Sequence, residues 1–401
     1  MCADVPSAGT LLTSLARTSE STMHIFAAIV GLLIVLSVLL DAFETVVLPR
    51  RVQRSFRLTA LFYRITWRPW AKLAGHIKSL SRRETYLSYF GPLSIIFLLV
   101  VWAASLIFGF ALLQYGLGEH LRLGSEKISF GALLYHSGET FFTLGYGDIV
   151  PNSWMARALA VFEAGMGFAF LAVVINYIPI IYSTFADREL EISLLDSRAG
   201  SPPTATEMLN RLGCCPDGRV LDEIFRDWER WSASVLASHL SYPVLSFFRS
   251  QHSNQSWLGA LTVMLDVTSL VIVGVDGIRS EQAKLTFAMA RHAAVDLAQV
   301  IHAEYNPSPP PRLSTAELEQ LRNTLAANGL RLRQDDAGDL KLAKLRSLYE
   351  PYVQANAERL LITLPPWVRT EKKKDNWQSG PWDKMIQKKE PAGSLVLDDH
   401  F

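Results

Sequence analysis

The chain has 401 residues, of which 49% are hydrophobic and 19% charged, and its mean hydropathy is positive at +0.17. This balance excludes a disordered, collagen-like or nucleic-acid-coating protein. The 39 basic and 38 acidic residues nearly cancel, so we expect no nucleic-acid partner. The three cysteines match neither a disulfide framework nor a zinc-binding spacing.

The first apolar stretch starts at His24 and carries no charge until Asp41 and Glu44 near its end. We predict a transmembrane helix over 23–48, with residues 1–22 outside the cytoplasm. The two carboxylates are expected to reach the lipid headgroups. The alternative is a signal peptide, but the apolar run is longer than its usual hydrophobic region and no small-residue cleavage site follows.

A strongly basic linker follows over 49–87. It holds ten basic residues against one acidic residue, Glu84, and basic residues concentrate in cytoplasmic loops. We therefore place this linker in the cytoplasm. The basic residues are Arg50, Arg51, Arg54, Arg57, Arg64, Arg68, Lys72, Lys78, Arg82 and Arg83.

Within the linker, Leu58–Leu80 has the pattern of an interfacial helix. Its apolar and aromatic residues would enter the headgroup zone, while Arg64, Arg68 and Lys72 would meet anionic lipid. A solvated linker is the alternative. A voltage sensor is disfavoured, because the regularly spaced arginines of this region lie outside any apolar run.

The second apolar stretch, Tyr89–Leu113, has 25 residues without a charge. At about 1.5 Å per residue it exceeds the hydrocarbon layer of about 30 Å. We predict a second transmembrane helix over 89–113.

A shorter apolar segment, 129–142, leads directly into the glycine-rich segment 143–148. The first is too short to span a bilayer, and irregular backbone at membrane depth must be buried in protein or line a water-filled path. We therefore predict a re-entrant loop with a pore helix over 129–142.

The glycine-rich segment suits the dehydration of K⁺ by backbone carbonyl oxygens. Successive carbonyls point the same way if ordinary and left-handed conformations alternate, and Gly145 and Gly147 adopt the left-handed one without steric cost. Thr143 adds a hydroxyl ligand at the inner end. Leu144 and Tyr146 would point away from the axis into surrounding protein. One chain supplies one strand, so four chains would surround the ion.

A third transmembrane helix is predicted over 158–185, with Glu163 as its one ionisable residue within the apolar run. An intramembrane carboxylate favours a functional role, and a buried hydrogen bond to the pore helix is equally compatible. With the basic linker inside, the N-terminus lies outside, 116–153 faces the exterior, and the chain beyond Asp187 is cytoplasmic.

Together, Thr143-Leu144-Gly145-Tyr146-Gly147-Asp148 and the flanking helices resemble the pore of the potassium channel family, with its Thr-Val-Gly-Tyr-Gly filter. The resemblance covers 88–186, and the helix at 23–48 is additional to the family's two-helix pore. It implies an all-α membrane protein and a homotetramer that passes K⁺ through the filter oxygens of Thr143, Leu144, Gly145, Tyr146 and Gly147. Leu144 stands where valine is commoner.

The resemblance also assigns supporting residues. Glu139-Thr140 matches the pore-helix Glu-Thr of simple bacterial potassium channels, and Asp148 follows the filter as in the family. These three residues are predicted to support the filter. Glu139 is either a hydrogen-bonded structural carboxylate or shares a proton with Asp148, since close carboxylates raise one another's pKa.

Gating residues are predicted on the third helix. Gly167 falls where the family has its hinge glycine, although close helix packing is the alternative. Asn176, two and a half turns later, is expected to face the cavity, and Pro179 removes a helical hydrogen bond and should bend the helix. We assign Gly167, Asn176 and Pro179 to gating and cavity polarity.

The remainder is predicted to form a helical cytoplasmic domain over 187–364 and a disordered tail over 365–401. The third helix should continue until Ser201-Pro202-Pro203, and Ser314 and Glu317 form a capping box that opens a helix ending at Asn328-Gly329. Other helices are predicted over 221–236, 280–303 and 339–362.

The segment Trp257–Ile278 is apolar enough to be mistaken for a fourth transmembrane helix. It contains Asp266 and Asp276, and a crossing there would move the lysine-rich tail outside, against the charge bias. We interpret it as a buried core helix. Asp266 is then a satisfied core carboxylate or, less favourably, a ligand contact.

No dinucleotide-binding, P-loop, zinc-protease or hydrolase motif occurs in the chain. We therefore expect no enzyme and no cofactor besides the permeant K⁺, with membrane lipid and an unknown cytoplasmic ligand as further partners. Two alternatives to a potassium channel in a bacterial inner membrane remain. They are a weakly selective cation channel and a membrane-anchored receptor or scaffold with a vestigial pore.

Overall fold

In the computed structural model the chain is an all-α membrane protein, and the part that the structure describes also has one two-stranded ribbon. Two compact units are formed, unit 1 by 1–76 with 89–182, and unit 2 by 77–88 with 183–401. The structure describes residues 8–48, 57–118, 121–122, 129–213, 219–252, 254–369 and 375–378.

The helices, in chain order, are α1 (Ala8–Ala42), α2 (Leu58–Gly75), α3 (Leu80–Ser88), α4 (Phe90–Leu117), α5 (Phe130–Phe141), α6 (Trp154–Ala199), α7 (Ala205–Leu212), α8 (Arg219–Ser241), α9 (Trp257–Gly274), α10 (Glu281–Val300), α11 (Thr315–Ala327), α12 (Asp336–Ser347) and α13 (Glu350–Leu360). The strands are β1 (Leu121–Arg122) and β2 (Val150–Pro151), paired antiparallel.

Helices α1 and α4 pack closely along unit 1. A Cβ added to Gly31 would lie 2.6 Å from the carbonyl oxygen of Gly109, so the two backbones approach within a distance that only small residues allow. His24 Nδ1 lies 2.7 Å from the carbonyl oxygen of Tyr115 at the far end of this contact. The additional N-terminal helix is therefore packed against α4.

Asp41 does not reach the headgroups. It is fully buried, and its carboxylate accepts hydrogen bonds from the backbone N–H of Thr59, at 3.1 and 3.2 Å, and from Trp102 Nε1 at 3.1 Å. The expectation that both carboxylates are solvated is wrong for Asp41, because the first turn of α2 offers unpaired N–H groups that a carboxylate satisfies. Asp41 thus joins α1, α2 and α4.

Helix α2 ends at Gly75, earlier than the predicted Leu80, and α3 begins as a separate helix at Leu80. Thr59, Trp67 and Ala74 form its buried side. Residues 49–56 of the basic linker, including Arg50, Arg51 and Arg54, lie outside the described residues.

Unit 2 is built around α9. Every residue from Trp257 to Val273 is buried, although the helix is long and apolar enough to cross a membrane. The prediction of a core helix is confirmed. Helix α8 covers the helix predicted over 221–236, and the apolar residues that recur at helical spacing along it are all buried: Leu221, Ile224, Phe225, Trp228, Trp231, Val235 and Leu236.

Asp266, at the centre of α9, is satisfied by neighbouring side chains. Arg312 donates two hydrogen bonds to its carboxylate, at 3.0 and 2.8 Å, and the Tyr349 hydroxyl donates a third at 2.6 Å. The structural interpretation of Asp266 is confirmed, since its three donors all come from the unit's own core.

Two predictions on unit 2 are wrong. The helix expected over 339–362 breaks into α12 and α13, because Pro351 at the start of α13 cannot continue a preceding helix. The tail expected to be disordered from 365 begins with packed residues, since Trp367 is 1% exposed and Asp375 is fully buried against Arg211 and Arg369. Residues 379–401 lie outside the described residues.

Replacing Arg312 with methionine should destabilise unit 2. The change leaves the Asp266 carboxylate buried without its counter-charge, which costs about 3–5 kcal/mol in comparable pairs. Chemical unfolding of the purified protein in detergent, followed by circular dichroism, measures the loss.

The double substitution Asp266→Leu and Arg312→Met should recover much of that stability, since it removes both buried charges. Arg333→Met, which breaks the exposed pair between Arg333 and Asp335, is the control and should change little. Equal effects of Arg312→Met and Arg333→Met would contradict the interpretation.

Candidate functional site

Helix α5 is a half-length helix of 12 residues that ends at the glycine-rich segment. The Ser129 hydroxyl caps its N-terminus by accepting a hydrogen bond from the Ala132 N–H at 3.2 Å. The helix is about 18 Å long, well short of the hydrocarbon layer of about 30 Å. After the glycine-rich segment, Val150 and Pro151 pair with Arg122 and Leu121.

The backbone of 143–147 alternates between left-handed and ordinary conformations. Thr143, Gly145 and Gly147 have φ values of 56°, 65° and 80°. Alternation of this kind directs successive carbonyls to one side of the strand. The two glycines adopt the conformation expected from their lack of a Cβ. Thr143 in the left-handed region was not expected, because residue type alone does not favour it there.

The segment is hydrogen-bonded to the end of α5. The Leu144 N–H donates to the Glu139 carbonyl at 2.8 Å, and the Thr143 N–H donates to the Thr140 carbonyl at 3.1 Å. These bonds fix the start of the segment to the last turn of the helix, so a shift of α5 shifts residues 143 and 144 with it.

The Glu139 side chain pairs with His136 rather than with Asp148. Both are buried, with His136 Nδ1 3.3 Å from Glu139 Oε1. Asp148 is exposed and interacts with Tyr135. Among the residues that the structure describes in this single chain, Glu139 Oε2 and His136 Nε2 have no hydrogen-bond partner. The three-residue spacing of His136 and Glu139 on one helix face was the available signal for this pair.

Gly167 packs directly on the end of α5. A Cβ there would lie 1.8 Å from the Phe141 carbonyl oxygen, so any side chain would displace one of the two helices. Helix α6 runs through Gly167 without a break. The close-packing alternative accounts for this glycine in the structure, and its role as a hinge stays a prediction.

Glu163 lies one turn before Gly167 and is fully buried. Its carboxyl group contacts the Ser137 hydroxyl of α5 and accepts a hydrogen bond from Gln114 Nε2 of α4 at 3.0 Å. Of the two interpretations of this residue, the structure displays the hydrogen bond to the pore helix.

The other two predicted gating residues lie on the exposed side of α6. The Asn176 Nδ2 donates to the Ala172 carbonyl at 2.7 Å, and Pro179 stands inside the helix. Asn176 shares an exposed stripe with the small residues Gly165, Ala169 and Ala172, as their spacing of three and four residues requires.

Large apolar side chains are exposed around the glycine-rich segment and along α6. Tyr146 is 72% exposed, Val161 74% and Phe168 71%. Leu144, expected to point into protein, is also exposed in the single chain. Surfaces of this kind mark contacts with lipid or with another protein chain.

Within the described part of the chain, no three His, Cys, Asp or Glu side chains converge as metal ligands.

Comparison with known proteins connects these features. The model of a family described as "Ion channel" matches residues 95–183, which contain the glycine-rich segment and parts of the helices on both sides of it. "Uncharacterized membrane protein YdjJ" of Bacillus subtilis is 23% identical over 261 residues, 63% of this chain and 73% of that protein. No solved structure matches the chain.

"Protein LctB" of Geobacillus stearothermophilus is 30% identical over 116 residues, which are 26% of this chain and 86% of that protein. The region matched by the channel family contains the half-length helix and the segment bonded to its end. It also overlaps the two flanking apolar helices. This chain is a membrane protein that belongs to the ion channel family.

Proposed function

We propose that the protein is a potassium-selective channel that conducts K⁺ passively as a homotetramer. The observation that carries the proposal is the alternation of φ at Thr143, Gly145 and Gly147 at the end of a half-length membrane helix. The proposal includes no enzymatic activity, no cofactor and no nucleic-acid partner.

In this proposal the carbonyl oxygens of Thr143, Leu144, Gly145 and Tyr146, with the Thr143 hydroxyl, replace the hydration shell of K⁺. Gly147 completes the alternating backbone. Conduction requires sites that compensate for dehydration without holding the ion too tightly, and carbonyl rings in series provide this. Glu139, Thr140 and Asp148 support the strand from behind and from its outer end.

The homotetramer is supported by the exposed side chains. One chain offers one strand of oxygens, which cannot surround an ion. Tyr146 and Leu144, exposed in the single chain, would be covered by the pore helices of neighbouring copies. The exposed stripe of small residues ending at Asn176 would then line the water-filled cavity, with Gly167 and Pro179 on the same helix as candidate gating positions.

A weakly selective cation channel of the same fold is the second candidate. Phe142 is 57% exposed beside the first filter residue, and a bulky ring there changes the packing that holds the carbonyls. A receptor or scaffold with a vestigial pore is disfavoured, because a non-conducting pore has no need of the alternating backbone.

The proposed orientation has the N-terminus outside and unit 2 in the cytoplasm of a bacterial cell. It is supported by the basic linker, of which Arg64, Arg68 and Lys72 are exposed on α2. These three residues follow one another at four-residue spacing and would bind anionic lipid headgroups.

Unit 2 is proposed to gate the pore, alone or with a cytoplasmic ligand. Helix α6 continues into it, and Arg188 of α6 is buried there. The guanidinium donates to the Leu245 and Phe248 carbonyls at 2.9 and 3.0 Å and lies 3.3 Å from His239 Nε2. Burial and the guanidinium hold the pKa of His239 well below its usual value, so its imidazole is neutral and accepts.

The substitution Gly145→Ser should strongly reduce rubidium uptake into vesicles that contain the purified protein. A Cβ at a φ of +65° is strained, so the filter strand would change conformation. We expect a fall of about tenfold or more, the effect of about 1.4 kcal/mol. Tracer uptake against a potassium gradient, with sodium as competitor, is the measurement.

Gly329→Ser is the matched control, because Gly329 has a φ of +80° and open space around it in unit 2. It should leave uptake unchanged. Equal rubidium and sodium uptake by the unmodified protein would favour the weakly selective channel. Absence of uptake, or uptake unaffected by Gly145→Ser, would refute conduction through this segment.

Cysteine at position 168 should cross-link up to four chains. The test uses a background in which Cys2, Cys214 and Cys215 are replaced by serine, with a short four-armed maleimide that can join four thiols, in mild detergent. Phe168→Cys should produce dimers, trimers and tetramers. Ile29→Cys, exposed on α1, is the control and should not reach tetramers. A product no larger than a dimer from Phe168→Cys would contradict the fourfold assembly.

Arg188→Met should change rubidium flux without changing ion preference. The change removes the donors that hold α6 in unit 2, and coupling between sites commonly alters an equilibrium by about fivefold or more. Arg230→Met, at a side chain that is 74% exposed on α8, is the control. Identical flux from the two variants would speak against gating by unit 2.

A further inference from the structure

Glu163 is the point at which three helices of unit 1 meet. Its carboxyl group contacts the Ser137 hydroxyl on α5 and the Gln114 amide on α4, while Glu163 itself belongs to α6. All three side chains are buried, with exposed fractions of 0% for Glu163, 0% for Ser137 and 5% for Gln114. A single carboxyl group therefore links the pore helix to both flanking helices.

Few hydrogen-bond donors are available in the cluster formed by Glu163, Ser137 and Gln114. The Ser137 hydroxyl has one proton and also lies 2.8 Å from the Ile107 carbonyl oxygen, which can only accept. If Ser137 donates to Ile107, its contact with Glu163 is a hydrogen bond only when Glu163 donates. A protonated carboxyl group satisfies both contacts, and it avoids the cost of an unpaired carboxylate in an apolar surrounding.

The contact continues one turn further along α6. Gly167 lies against the Phe141 carbonyl, and the Phe170 ring lies 5.7 Å from the Phe141 ring. Glu163, Gly167 and Phe170 are spaced by four and three residues and thus lie on one face of α6. The pore helix is fixed to α6 at two levels, by hydrogen bonding at Ser137 and by close packing at Phe141.

The neighbouring residues Val161 and Phe162 are exposed, whereas Glu163 is turned into the protein. Glu163 is therefore not placed to attract cations into a cavity lined by the exposed side of α6. Its contacts lead to α5, whose last turn carries the hydrogen bonds to residues 143 and 144.

We propose that Glu163 is a positioning residue for ion selectivity. As a neutral carboxylic acid it donates to Ser137 and accepts from Gln114, and so it sets the position of α5 and with it the spacing of the filter carbonyls. This inference rests on the proposed function, since it assigns the residue a part in the discrimination between K⁺ and smaller cations.

The test compares Glu163→Gln, Glu163→Asp and Glu163→Leu in the vesicle assay, with the ratio of rubidium to sodium uptake as the readout. Glutamine reproduces one donor and one acceptor at the same length, so it should retain the ratio of the unmodified protein. Aspartate is shorter by one methylene and leucine has no polar group. Both should lower the ratio, leucine by about tenfold or more, the effect of about 1.4 kcal/mol.

If Glu163→Leu does not assemble, the partners provide the same test. Ser137→Ala and Gln114→Leu each remove one contact and should lower the ratio, while Glu191→Leu, on the same helix in unit 2, should not. Each variant is first shown to form the same cross-linked oligomer as the unmodified protein.

An unmodified ratio in Glu163→Leu, or in both partner variants, would overturn the inference while leaving selective conduction intact. Loss of the ratio in Glu163→Gln with retention in Glu163→Asp would also overturn it, since a negative charge would then be the requirement. Absence of selective uptake by the unmodified protein would instead refute the proposed function.

Discussion

The hydrogen bonds between the last turn of α5 and residues 143 and 144 are the interaction on which the rest of unit 1 depends. Lipid cannot satisfy backbone N–H and C=O groups, so a helix that ends halfway across a membrane must transfer its terminal groups to protein. Here the Glu139 and Thr140 carbonyls accept from the following segment. The left-handed residues that follow are thereby attached to the end of α5.

The helices around α5 are arranged as this constraint requires. Glu163 and Gly167 of α6 hold the pore helix on one side, and the Ile107 carbonyl of α4 accepts from Ser137 on another. Gly167 makes its contact because it has no side chain. The side-chain oxygens of Glu163 and Ser137 all contact a neighbouring polar atom. The position of α5 is consequently determined by several short contacts rather than by apolar packing alone.

Much of this architecture could be predicted from residue patterns, because length and hydropathy are local properties. Three local patterns each indicate a structure through their immediate neighbours: the uncharged run over 89–113, the capping box at Ser314 and the glycines at 145 and 147. Contacts between distant segments could not be predicted in this way. The pairing of Asp41 with Thr59, the burial of Asp375 and the contact of Gly167 with Phe141 depend on which helices meet, and a single sequence does not encode that in any local pattern.

Helix α9 shows that an apolar composition does not by itself identify a membrane-spanning helix. Its composition suits a membrane, yet all of its residues from Trp257 to Val273 are buried in unit 2. Asp266 is the informative residue, because a carboxylate in the middle of an apolar helix needs a buried cation such as Arg312. The partner of that charge, rather than the apolar composition, distinguishes a core helix from a spanning one.

The buried carboxylate of Asp41 changes where the boundary of the conducting module should be drawn. The region shared with the channel family starts at residue 95, yet the first turn of α2 and the Trp102 indole both donate to a side chain from α1. A fragment trimmed to the shared region would leave that indole without its acceptor and would lack the helix packed at Gly109. For this chain, the contacts that hold the matched region extend to its first helix.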